Sequence, residues 1–141
     1  MFPSCSPNTK KKEVDKMTGK NGEQVLAQDL NAKGFWVKLI PNDARGAQPF
    51  DIIAVRQKLV LMLDSKVCGQ KRFPMERVED NQWLAFEKAA KRTCACIGLI
   101  CWYNGKFYYI PYSQLRVNIG NASIPLAEDM NRLYEDLTKC V

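Results

Sequence analysis

The chain has 141 residues, 46% of them hydrophobic, enough for one domain with its own core and too few for two of ordinary size. It contains no histidine, which excludes Ser-His-Asp and Cys-His catalysis and leaves carboxylates, lysines, hydroxyls or a bound metal to carry any chemistry. A formal charge of +6 suits a phosphate-rich partner, because lysines and arginines that neutralise phosphates release counterions; an ordinary solvated basic surface would give the same count.

Residues Met1 to about Thr18 combine Pro3, Pro7 and the run Lys10, Lys11, Lys12 with little apolar patterning, which reads as a mobile basic arm (1–18) ahead of a single domain (19–141). Leu26, Ala27 and Leu30 predict a helix from Gly22 to Lys33, with Gly34 as its stop. Phe35 to Ile40 reads as a strand, followed by a polar loop from Pro41 to Gln48. The apolar runs Phe50 to Val55 and Leu59 to Leu63, parted by Arg56, Gln57 and Lys58, predict a hairpin buried on both faces. A loop with Gly69 and Pro74 leads to Asp80, an N-cap for a helix to about Arg92 through Trp83, Phe86, Ala89 and Ala90. Ile97 to Tyr103 and Lys106 to Ile110 flank Asn104-Gly105, the strongest short hairpin signal. The last element is an amphipathic helix with Leu126, Met130, Leu133 and Leu137 on one stripe, fitting either intramolecular packing or a dimer face. Glu128 with Arg132, and Glu135 with Lys139, have i,i+4 spacing on its exposed sides. The order helix, three strands, helix, two strands, helix is an α/β arrangement around one central mixed sheet.

Six cysteines are scattered without a CxxC pair, so neither a disulfide framework nor a zinc site is expected; Cys94, Cys96 and Cys101 read as small apolar residues near a buried strand. No apolar run approaches the roughly 18 residues needed to span a bilayer, and no signal-peptide core is visible. A soluble, cytoplasmic protein is expected.

The chemistry concentrates in the first hairpin. If its turn is centred between Gln57 and Lys58, Asp51 lies opposite Asp64, and Lys66, two residues further on, shares their face. Two opposed carboxylates in an apolar hairpin repel unless something positive lies between them. A hard divalent ion such as Mg²⁺, which takes one or two protein carboxylates and keeps several waters, meets that need. Such an ion can polarise a phosphoryl oxygen and supply a hydroxide, while Lys66 neutralises charge in the transition state. The alternative is a simple ion pair between Asp64 and Lys66 at a strand end. Glu23 and Gln82 project from the apolar faces of their helices, where a polar group needs a partner unless it escapes to solvent.

Gln48-Pro49-Phe50-Asp51 and Asp64-Ser65-Lys66, with Glu23 on a helix before and Asn81-Gln82 on a helix after, resemble the PD-(D/E)xK nuclease superfamily. The likeness is nearest to small Holliday-junction resolvases of the RecU and archaeal types, and it spans about Gly19 to Tyr112. It implies a restriction-endonuclease-like core, a central mixed sheet flanked by helices in αβββαβ order. It further implies that Asp51 and Asp64 bind Mg²⁺, with Mn²⁺ able to substitute and the Ser65 backbone carbonyl as a further ligand. Lys66 would be the catalytic lysine, and Glu23 and Gln82 the accessory polar residues. Two departures are an Asp in place of the commoner Glu at position 64 and a PD dipeptide split by Phe50.

Resolvase-like members act as symmetric homodimers, since two coordinated nicks on a four-way DNA junction need two sites. Arg45, Lys71, Arg72, Lys88, Lys91 and Arg92 are candidate DNA-binding residues, with solvated charge as the competing reading. The expected activity is Mg²⁺-dependent endonucleolytic hydrolysis of branched DNA in recombination and repair. A restriction-like or repair nuclease on linear or single-stranded DNA shares every catalytic residue, and a DNA-binding module would keep the fold without cutting, against which the intact acid, acid and lysine set argues.

Overall fold

The computed structural model describes residues 19–41 and 49–140. Helix α1 (Gly19–Ala32) leads into strands β1 (Trp36–Leu39), β2 (Ile52–Arg56) and β3 (Leu59–Val67). Then come β4 (Arg72–Pro74), a 3-10 turn (Met75–Arg77), α2 (Asp80–Arg92), β5 (Cys96–Tyr103) and β6 (Lys106–Pro111). The chain ends with α3 (Tyr112–Val117), β7 (Ser123–Pro125) and α4 (Glu128–Thr138).

The expected mixed sheet is present, in the order β1-β2-β3-β5-β6. β3 and β5 run parallel, joined by a crossover that contains α2, and the other neighbours are antiparallel. β4 and β7 pair in a second, two-stranded sheet that pattern reading does not find, because Pro74 and Pro125 argue for loop. Among the described residues, no helix is long and apolar enough to cross a membrane.

Turn chemistry places the strands. Gln57 has φ of 54° in the two-residue loop between β2 and β3, and the ladder Ile52↔Leu63 to Arg56↔Leu59 follows the register expected from a symmetric turn. Asn104 and Gly105 both take positive φ, as a type I′ hairpin turn requires. Gly34, at φ 89°, ends the first helix as expected, although α1 begins three residues earlier than the apolar pattern shows.

The sheet separates two cores. Leu26 and Leu30 of α1 and Tyr134 of α4 pack on Ile52, Ala54, Leu61, Leu63 and Ile100. Phe86 of α2 packs with Phe73, Leu99, Ile110, Leu115 and Ile124 on the other side. The first hairpin is not buried on both faces: Ile52, Ala54, Leu61 and Leu63 are buried, whereas Ile53, Val55, Val60 and Met62 are half-buried. It lies near the β1 edge, which α2 does not fully roof.

Three local expectations change. Glu79, not Asp80, caps α2, in a capping box with Gln82. In α4 the buried stripe is Met130, Tyr134 and Thr138 at i,i+4 spacing, and Leu133 is 41% exposed; Leu126 and Met130 pack within the chain. Its charges find partners outside the helix, Glu128 with Lys106 and Glu135 with Lys33, while Arg132 pairs with Asp129. Cys94 is exposed rather than apolar packing; Cys101 is buried, Cys96 half-buried, and no disulfide joins the described cysteines.

Candidate active site

The site forms at the end of β3 where the first helix approaches the sheet. Asp51 stands one residue before β2: its C=O accepts from Ile40 N–H at 2.8 Å, while its N–H donates to Leu63 C=O at 2.9 Å. A ladder residue exchanges both bonds with one neighbour. The chain therefore bends at Asp51, and the ladder stops short of the Asp51–Asp64 pairing that its register implies. The carboxylates meet all the same: Asp51 Oδ2 accepts from Ser65 N–H at 2.8 Å, and the Asp51 side chain lies within hydrogen-bonding reach of the Asp64 side chain.

Asp64 is buried, and its Oδ2 lies 3.0 Å from Lys66 Nζ. Despite that ion pair, Oδ2 receives no well-directed hydrogen bond among the described residues. Burial, then the Asp51 carboxyl beside it, pushes the Asp64 pKa up to about 8, and the Lys66 ammonium only partly opposes them. Glu23 reaches the same point from α1, within hydrogen-bonding reach of the Asp51 side chain; burial, then Asp51, raises its pKa. Among the described residues, three carboxyls and one ammonium therefore share a poorly solvated spot.

Gly22 sets how near α1 comes. A Cβ at this position would stand 2.8 Å from Val67 Cγ2, so the absent side chain lets α1 lie directly on β3 and carries Glu23 to Asp51. Sequence reasoning missed this residue. The apolar pattern starts the helix at Gly22, and only the longer α1 puts this glycine inside it, where it is worth about 1 kcal/mol less than alanine and needs a packing reason.

The other expected residues divide. Gln82 is buried as its helical position implies, but its Oε1 accepts from Glu79 N–H at 3.1 Å, which is a capping role. Lys71 and Arg72 follow β3 and are exposed, with Arg72 Nε donating to Ser123 Oγ at 2.7 Å. Lys88, Lys91 and Arg92 are exposed on the last turns of α2, and Lys91 pairs with Glu87. That end of α2 leads to Cys96, which is level with Leu61, five residues before Lys66 on β3 and about 16 Å from it at strand spacing. Arg92, the last residue of α2, therefore lies away from the acids. Arg45 lies outside the described residues.

The donor set suits a hard divalent ion. Asp51 and Asp64 offer carboxylate oxygens, one of them buried without a hydrogen bond among the described residues; burial, then the Asp51 carboxyl, raises the Asp64 pKa, and a cation would offset both. Among the described residues no group of three acidic, cysteine or histidine side chains forms a ligand cage. Mg²⁺ needs none, since it takes one or two protein carboxylates with waters.

A mixed sheet flanked by helices is a fold that this chain shares with a solved resolvase structure. In particular, the structure is similar to that of Hjc from Archaeoglobus fulgidus, a Holliday junction resolvase from an archaeal hyperthermophile. The TM-score is 0.60 at 18% sequence identity, over 79% of this chain and 88% of that one. At that identity the likeness is one of fold. No protein-family model and no curated protein sequence matches the chain.

Proposed function

We propose that this chain is a metal-dependent endodeoxyribonuclease that hydrolyses phosphodiester bonds in branched DNA, acting as a Holliday-junction resolvase. One observation carries the reading: Asp51, Asp64 and Lys66 converge with Glu23 at one strand end, and a buried Asp64 oxygen there lacks a hydrogen bond. Apart from the Lys66 ammonium 3.0 Å away, that oxygen has no partner among the described residues, whereas a purely structural cluster would hydrogen-bond it. The Hjc-like fold supports the same reading.

Asp51 and Asp64 would hold Mg²⁺ or Mn²⁺, with the Ser65 backbone carbonyl as a further ligand. When bound, the ion would polarise a phosphoryl oxygen and acidify a water. Ser65 N–H and Glu23 position Asp51 from two sides. Lys66, whose side chain is 16% exposed, can turn its ammonium from Asp64 towards a substrate phosphate and stabilise the charge that develops there. Two coordinated nicks on a four-way junction require a symmetric homodimer.

The test is cleavage of four-way, flap, linear duplex and single-stranded DNA in Mg²⁺, in Mn²⁺ and in EDTA. Metal-dependent cutting that favours the four-way junction is the expected result. Preference for linear or single-stranded DNA would assign a restriction-like or repair nuclease. The 3.0 Å Asp64–Lys66 pair favours one other reading, a DNA-binding module that does not cut, and binding without cleavage in any metal would select it.

A further inference from the structure

Among the described residues, the face of the sheet that carries Asp64 and Lys66 is unevenly covered. α2 packs over β5, whereas α1 is the helix that packs on β1 and β2, and it lies on the opposite face. Ladder partners share a face, so the pairs Trp36↔Val55, Lys38↔Ile53, Val55↔Val60 and Ile53↔Met62 place Trp36 and Lys38 on the half-open side. Alternation along β3 carries that same side from Met62 to Asp64 and Lys66. Trp36 is 63% exposed and Lys38 is exposed beside it, both on the edge strand. From strand spacings, Lys38 stands about 12 Å and Trp36 about 16 Å from Asp64, backbone to backbone.

A large exposed ring on an open sheet edge invites a partner. Its chemistry narrows the choice. An indole offers a stacking face to any base, and an ammonium two residues away on the same side offers a counter-charge to the adjoining phosphate. A second copy of this chain would instead bring Lys38 and a net charge of +6 against their like.

We propose that the β1–β2 face binds a single-stranded or splayed arm of a nucleic-acid substrate leading away from the acids, with Trp36 stacking on a base and Lys38 neutralising a phosphate. The proposal rests on DNA as the substrate of the neighbouring site, and it adds a binding track to that site.

The experiment uses the full chain and its variants Trp36→Ala, Trp36→Phe and Lys38→Ala. Affinity for a four-way junction and for a duplex with a single-stranded tail is measured in EDTA over a salt series. Melting temperature and sedimentation are checked in parallel, and wild-type cleavage in Mg²⁺ is a separate arm. Trp36→Ala should weaken binding between about fivefold and a hundredfold with the salt slope unchanged, and Trp36→Phe should restore most of it. Lys38→Ala should lower the salt slope by about one. Unchanged binding by a folded Trp36→Ala overturns the proposal, as does a shift from dimer to monomer with intact binding per protomer, which would give the face to a second copy. Trp36-dependent binding by a wild type that does not cut sinks the nuclease reading alone. Cleavage with Trp36-independent binding sinks this inference alone.

Discussion

The two ends of α1 enter two partly buried charged clusters that obey opposite rules. At the C-terminal end, Lys33 Nζ lies 2.9 Å from Asp29, 3.1 Å from Glu135 and 3.0 Å from Thr138 Oγ1, with the Tyr134 ring beneath it. Tyr134 donates to Asp29, and Arg56 bonds the carbonyls of Lys33, Thr138 and Lys139 while stacking on Phe35. Charge and hydrogen bonds are matched there, and the network fastens α4 to α1 and β2. At the N-terminal end, among the described residues, three carboxyls face one lysine and a buried oxygen goes without a hydrogen bond. A scaffold settles its buried charge; a site that awaits a ligand leaves some unsettled.

Substitutions should separate the clusters. The largest effect is expected from Lys66→Ala, which should slow single-turnover cleavage about a thousandfold while junction affinity in EDTA changes less than about tenfold. Cutting near the wild-type rate would move Lys66 into the scaffold class. Lys33→Met should do the opposite, lowering stability by about 2 kcal/mol in chemical denaturation and leaving the rate per folded molecule unchanged; the value is kept low because Glu135 is half exposed.

Gly22→Ala should fall between them. Pushing α1 off Val67 should reduce cleavage about tenfold by loosening Glu23 from Asp51, with a small loss of melting temperature. A rate equal to wild type would show that Glu23 does not need that close approach.

The smallest signal is a matter of sign. Asp64→Asn should leave the metal-free protein at least as stable as wild type at pH 8, because it removes repulsion, whereas a structural ion pair with Lys66 would make it less stable. The folded protein holds the Asp64 proton up to about 8 and the unfolded chain releases it near 3.8. Stability from this group is therefore full below about pH 4 and falls as pH rises towards 8 in EDTA. Asp64→Asn should remove that component, and Mg²⁺ should flatten it by binding the ionised site. Denaturation midpoints across pH, with and without Mg²⁺, measure both.

Much of the fold was legible in the chain because it is written locally. Apolar spacing marked α1, α2 and the strands, Asn104-Gly105 marked its hairpin, and the turn at Gln57-Lys58 fixed a register that carried Asp64 to the end of the sheet beside Lys66. Other features had no local signature. β4 and β7 lie about fifty residues apart and contain prolines, so their pairing emerges only when the chain is folded. Tyr134 displaced Leu133 from the buried stripe because Asp29, distant in sequence, satisfies its hydroxyl. At the site, the sequence by itself supplied the residue types and the face they share, since side-chain alternation along a strand is a local rule. The tertiary structure decided the rest: the bend that brings Asp51 to Ser65, the approach of Glu23 over Gly22, the diversion of Gln82 into a helix cap, and the burial that raises the Asp64 pKa. Desolvation and contact between distant segments depend on how elements pack, and no periodicity along the chain encodes them.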